Sequence, residues 1–122
     1  MLTTTSTITR GSIYMADLPK SEHSSVQGGL RPVIVIQNDK GNECSPTVQV
    51  IPLTSRNKKP LPIHTVITKD SGIIKESIAL TEQIQTIDKS HIRQCVGKVD
   101  ETTMEKINVC LMIQLGIICY NN

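Results

Sequence analysis

The chain has 122 residues, 38% of them hydrophobic, with no Trp, no Phe, two Tyr (Tyr14 and Tyr120) and a formal net charge of +2 that divides into +4 over residues 1–69 and −2 over residues 70–122. That length suits one ordinary domain with a core of Ile, Val and Leu that needs no disulfide or metal to staple it. The composition excludes an aromatic platform as the main basis of nucleic-acid binding, leaving Tyr14 alone for stacking, and no apolar run approaches the roughly 18 to 20 residues of a membrane span.

Residues 1–9 are a Thr/Ser-rich polar tail, expected to be disordered up to Ile8 or Thr9, before a single domain over 10–122. SIYMA, after Arg10-Gly11, reads as the first strand. The next stretch, DLPKSEHSSVQGGL, is polar, aperiodic and long for a connection in a compact domain, the mark of a functional or mobile loop hinged at Gly28-Gly29. Val33 to Ile36 form the branched apolar run of a strand buried on both faces, and Pro32, which has no amide donor, is expected as its first residue. Arg31 then stands at the rim, where a permanent charge can meet an anion. NDKGNECSP, residues 38–46, is turn chemistry, and TVQVIPLT returns as a strand ending at Thr54.

SRNKKPLP, with Arg56, Lys58 and Lys59, is a second loop leading to a short strand at HTVIT, and SIALTEQIQTI, residues 77–87, reads as one extended piece. A helical turn at DKSHIR and a brief strand at CVGKV precede the best helix of the chain. It starts at Asp100, or at Thr102 with Glu105 as a capping box, presents Met104, Ile107, Leu111 and Leu115 on one face, and is closed by Gly116. Strands first and one helix last imply a mainly β (α+β) domain, a small antiparallel barrel or sandwich with a helix packed on it.

Three kinds of chemistry find little support. His23, His64 and His91 are scattered and no carboxylate pair sits at metal-ligand spacing. Cys44, Cys95, Cys110 and Cys119 show no C-x-x-C pairing and read as reduced, mostly buried thiols without an identifiable base. There is no phosphate-binding G-x-x-x-x-G-K-[ST] run, and MLTTTSTIT lacks the basic start and apolar heart of a signal peptide, which points to the cytoplasm. What remains is a pair: counted along an antiparallel hairpin turning at 38–46, Arg31 and Thr54 reach the same rim. An arginine and a hydroxyl there could clamp a phosphodiester without a metal. Alternatively, Thr54 satisfies a strand-end backbone group and Arg31 pairs with Asp17 or Glu22.

The segments RGSIYMADL, QGGLRPVIVIQND, GNECSPTVQVIPLT, LPIHTVIT and SIALTEQIQTIDK, with a final helix ending in IQLGI, run from Arg10 to about Ile117. In combination they resemble the MazF/PemK toxin ribonucleases of type II toxin-antitoxin systems, the Gram-positive MazF proteins above all. The resemblance implies an SH3-like β-barrel with a C-terminal helix, working as a homodimer that cuts single-stranded RNA, mainly messenger RNA, at a short sequence with no cofactor or metal. It implies Arg31 and Thr54 as the catalytic pair, attack by the ribose 2′-hydroxyl, and 2′,3′-cyclic phosphate and 5′-hydroxyl ends. Gln27, Gly28, Gly29, Arg56, Lys58, Ser77 and Gln83 correspond to positions along the RNA groove, and His64 to a family histidine read here as structural. A MazE-like antitoxin with an acidic disordered tail is the implied protein partner. Two departures stand out: Ser12 replaces the usual Asp, which would alter cut-site preference if that acid touches a base, and the loop before Gly28 is about one residue longer than in close relatives. The readings from other classes are a CcdB-like toxin that binds a topoisomerase without catalysis, and a barrel that binds RNA and leaves it uncut.

Overall fold

The structure, a computed structural model, describes residues 7–20, 28–55 and 61–119. In chain order they form β1 (Ser12–Leu18), β2 (Gly29–Val35), α1 (Asp39–Cys44), β3 (Thr47–Ser55), β4 (His64–Ile67), β5 (Ser77–Leu80), β6 (Gln85–Asp88), β7 (Ile92–Lys98) and α2 (Glu101–Gln114), with 3₁₀ turns at Lys69–Ser71 and Lys89–His91. Every ladder is antiparallel, and the strand path runs β4-β5-β3-β2-β1-β7 with β6 also paired to β3.

Side chains alternate across a strand, and here both faces of the sheet are apolar, so the sheet carries two cores. Tyr14, Ala16 and Leu18 of β1, Val33 and Val35 of β2, and Val48 and Val50 of β3 cluster on one side with Ile87 and Ile92 from the flanking strands. Ile13, Ile34, Ile51 and Leu53 point the other way, against Ile107 and Leu111 of α2. The sheet therefore curves over the first cluster while the helix covers the second. Among the described residues no ladder joins β7 to β4 or β6, so the expected barrel is present as a curved sheet that does not close.

β3 is the hub. Its residues 47–50 pair with β6 and residues 53–55 with β5, while 50–52 pair with β2 on the opposite edge. The stretch 77–87 is thus two strands rather than one extended piece: opposite Ile51-Pro52 the chain leaves β3 in a turn closed by the Gln83 N–H on the Leu80 carbonyl (2.9 Å).

Three further expectations need correction, and the choice between two helix starts is settled. The 38–46 turn contains a short helix, α1, whose N-cap Asn38 accepts from the Gly41 N–H at 2.8 Å. Of the two helix starts weighed for α2, Asp100 is the cap, accepting from the Thr103 N–H at 2.8 Å. Leu115 does not join the buried stripe of Ile107, Cys110 and Leu111; it is 60% exposed at the C-cap, where the Ile117 N–H on the Met112 carbonyl (2.8 Å) and a left-handed Gly116 complete a Schellman motif. The thiols are free, but Cys110 alone is buried, while Cys44, Cys95 and Cys119 sit at the surface. Ile8, at the end of the polar tail, is buried in the first core, and residues 1–6 lie outside the described residues. No described helix is long and apolar enough to cross a membrane.

Candidate active site

A missing backbone donor positions the arginine. The Ile36 N–H bonds the Gln49 carbonyl at 3.0 Å, which marks that cross-strand pair as a hydrogen-bonded one. Such pairs recur at every second residue of an antiparallel ladder, so Ile34 with Ile51, and then Pro32 with Leu53, come next. Pro32 has no N–H to give, and the Leu53 carbonyl loses its strand partner. Arg31 Nη1 takes that carbonyl instead at 3.3 Å, while its Nε donates to the Gly28 carbonyl at 3.2 Å. The β2–β3 register, Val33 opposite Pro52, carried two residues further, sets Arg31 across from Thr54. Pro32 is therefore not the first residue of its strand, which begins at Gly29; it lies inside β2, opposite Met15 of β1.

Of the two acids weighed as partners for Arg31, only Asp17 is among the described residues. Asp17 faces Arg93 at 3.4 Å, and Glu22 lies outside the described residues. The Thr54 backbone is held in the β5 ladder opposite Ile78, and its hydroxyl makes no hydrogen bond among the described residues. Two of the five guanidinium donors of Arg31 are committed to carbonyls, which fixes its orientation, while half-buried Thr54 faces it by strand register without lining the hollow beside the arginine.

The remaining candidates divide. Gly28 and Gly29 shape the site through close packing: a Cβ on Gly28 would come within 2.6 Å of the Pro19 carbonyl oxygen, and Gly29 has a φ of +82°. Ser77 is buried, donates to the Lys75 carbonyl at 2.9 Å, and lines a hollow of about 390 Å³ together with Arg31, Leu53 and Ser55. Gln83 sits half-buried in the turn between β5 and β6 and does not line that hollow. Gln27, Arg56 and Lys58 lie outside the described residues, as does the longer loop before Gly28.

His64 is structural in its contacts. Its side chain is 2% exposed, its Nδ1 accepts from the Leu61 N–H at 2.9 Å, and Nε2 therefore carries the proton that faces Glu82 Oε1 at 2.9 Å. Tyr14 offers no stacking surface: it is buried in the first core, and burial, with Cys95 beside it, pushes its phenol up from the ordinary value. Ser12 bonds the Thr9 hydroxyl at 2.6 Å and lies four residues along β1 from Ala16, which is paired with Arg31. At about 3.3 Å per residue that is roughly 13 Å away, so the Asp-to-Ser departure is remote from the pair. Sequence reasoning missed Lys75, which lines the hollow opposite Arg31; its place two residues before Ser77 was the available signal. Among the described residues no group of three or more His, Cys, Asp or Glu side chains is placed to hold a metal ion.

Residues 9–115 match the PemK-like, MazF-like toxins of type II toxin-antitoxin systems. The chain belongs to that family. It is 42% identical over 110 residues to Endoribonuclease MazF of Staphylococcus saprophyticus, spanning 88% of this chain and 91% of that protein. The crystal structure of MazF (form I) from Deinococcus radiodurans superposes with a TM-score of 0.78 at 21% identity over 91% of this chain and 98% of that one. A mycobacterial endoribonuclease in complex with its cognate antitoxin superposes with a TM-score of 0.77 at 23% identity over 93% and 99%. The curved antiparallel sheet with one C-terminal helix is the MazF-like fold.

Proposed function

We propose that this MazF-family toxin is a metal-independent endoribonuclease that cuts single-stranded RNA, chiefly messenger RNA, at a short sequence and thereby stops translation and growth. The observation that carries the reading is the Arg31 guanidinium, tied to the Leu53 carbonyl that Pro32 leaves unpaired and facing, by strand register, Thr54, whose hydroxyl has no partner among the described residues. The 42% identity to a staphylococcal endoribonuclease supports it independently.

In the reaction the ribose 2′-oxygen bonds to phosphorus and the bond from phosphorus to the 5′-oxygen breaks, leaving a 2′,3′-cyclic phosphate. The 2′ proton passes to a base, and the departing oxygen takes up a proton to end as a 5′-hydroxyl. Negative charge grows on the phosphoryl oxygens in between. Arg31, oriented beforehand by two carbonyls, stabilises that charge, and Thr54 donates a hydrogen bond to the same group. DNA lacks the attacking hydroxyl and is not cut this way. The chain works as a homodimer, and a MazE-like antitoxin lays an acidic, disordered tail over the same groove and competes with RNA.

The test is purified protein on a long mixed-sequence RNA in excess chelator, with all new ends mapped, beside Arg31→Ala and a DNA of matched sequence. Discrete cuts bearing 5′-hydroxyl ends, absent from the variant and the DNA, are expected. Intact RNA from folded, antitoxin-free protein would overturn the reading and favour a topoisomerase-binding or passive RNA-binding toxin.

A further inference from the structure

The hollow beside Arg31 has a built second rim. Its floor is apolar, with Met15, Leu53, Ile73 and Val96, and the two cations lining it are Arg31 and Lys75. A volume of about 390 Å³ lies within the range of roughly 300–1,000 Å³ typical of ligand sites. No carboxylate lines it, and among the described residues Lys75 forms no ion pair.

The backbone beneath Lys75 is fixed, although its side chain is exposed. The segment after the 3₁₀ turn at Lys69–Ser71 lies directly on β7: a Cβ on Gly72 would fall 2.2 Å from the Val96 carbonyl oxygen, and one on Gly97 would fall 1.7 Å from that of Ser71. Two glycines from distant parts of the chain thus let backbone meet backbone. The buried Ser77 hydroxyl then holds the Lys75 carbonyl at 2.9 Å. A rigid mount that presents an ammonium, without an ion pair among the described residues, to the same apolar hollow that Arg31 lines is arranged for a second anionic group of the same ligand. The low-polarity floor strengthens the attraction of both cations for it.

We infer that Lys75 is a positioning residue of the RNA site: its ammonium holds a phosphate flanking the scissile one and so anchors the strand in the hollow beside Arg31. This rests on the ribonuclease reading. The contact is to the chain of phosphates and not to the reacting atoms, so it acts on binding and leaves the chemical step alone.

The experiment measures kcat and KM, and separately the salt dependence of Kd for an RNA carrying the mapped cut site with a 2′-deoxy nucleotide that blocks cleavage. Lys75→Ala is expected to raise KM and Kd about five- to tenfold with kcat unchanged, and to reduce the slope of log Kd against log salt by about 0.7, the value for one lost contact to a single strand. Lys75→Arg should restore both, and Lys75→Glu should weaken binding further. An unchanged melting temperature in Lys75→Ala separates these effects from folding. Wild-type cleavage with an unaltered KM and salt slope in Lys75→Ala would overturn this inference alone. Wild-type protein that cuts no RNA would overturn the ribonuclease reading and this inference with it.

Discussion

At the turn end of the β2–β3 hairpin most polar side chains are bonded to the protein itself; at the open end several keep donors in hand. Near the turn, Asp39 Oδ1 accepts from the Arg10 N–H (2.7 Å) and from Asn42 Nδ2 (3.1 Å), and Gln37 Oε1 accepts from the Gln49 N–H (3.0 Å). Asn42, buried, also donates to the Gln37 carbonyl at 2.9 Å, and Arg10 Nε closes on the Ile36 carbonyl at 2.7 Å. At the open end the Thr54 hydroxyl and the Lys75 ammonium find no partner among the described residues, and Arg31 keeps donors in reserve. The hairpin is thus closed by its own bonds at one end and, on the proposed reading, kept open for RNA at the other. Polar groups bonded to one another rigidify a turn, even though Asn42 Oδ1 stays buried without a partner among the described residues, whereas a group that is to meet a ligand is left open until the ligand arrives.

The largest effect should come from Arg31→Ala, a loss of about two or more orders of magnitude in turnover, as when a preorganised charge-stabilising donor is removed. Its stability in urea should fall by only about 1–2 kcal/mol, since two hydrogen bonds are lost, one of them the bond that satisfies the Leu53 carbonyl. Near-normal cleavage by this variant would remove the open end from catalysis. Thr54→Ala should lower kcat by about ten- to a hundredfold, the range for one hydrogen bond to a charged group. A variant that alters KM alone would instead make Thr54 a binding residue.

Asn42→Ala probes the other end and should invert the pattern. Removing the amide strands the Gln37 carbonyl, and urea unfolding should report a loss of about 1–3 kcal/mol. Cleavage per folded molecule should stay at the wild-type level. A fall in activity without a fall in stability would show that the two ends are coupled and dissolve the contrast.

The hairpin was legible in sequence because its cues are local: a branched apolar run, turn residues, a second alternating run, and a register that follows from counting between them. That counting brought Arg31 and Thr54 together before any coordinates. The role of Pro32 was harder to see. Its consequence falls on Leu53, twenty-one residues later, and only the phase of the ladder shows that the lost donor matters. The division of 77–87 escaped for a related reason, since each half is a sound strand and the break is dictated by β3 changing partners. Helix α1 is six residues long, too short to announce itself by periodicity, and it depends on Asp39 meeting the backbone of Arg10. Lys75 stands two residues before Ser77, but its mount is a contact between Gly72 and Gly97 that no local pattern encodes.

The smallest effect concerns how the turn end is held, and pH can isolate it. The Arg10 N–H bonded to Asp39, followed by the Asn42 amide, keeps the Asp39 carboxyl below the ordinary carboxylate value. The charged form is therefore favoured in the folded chain, and on acidification the unfolded state binds its proton first. The stabilisation is present above the unfolded value of about 3.9 and is lost as pH falls through the lower folded value. Asp39→Asn keeps an oxygen to accept from Arg10 but gives up the charge. Urea unfolding across a pH series should find the wild type more stable above that window, with the difference closing as pH falls through it. Asp100 is also held low, by its bonds to Thr103, but it is common to both proteins and cancels in the difference. A gap that stays constant into acid would mean that hydrogen-bond count and fit hold the turn without help from charge. A gap that closes would show that the ionised Asp39 carboxylate holds this end through its charge as well as its hydrogen bonds.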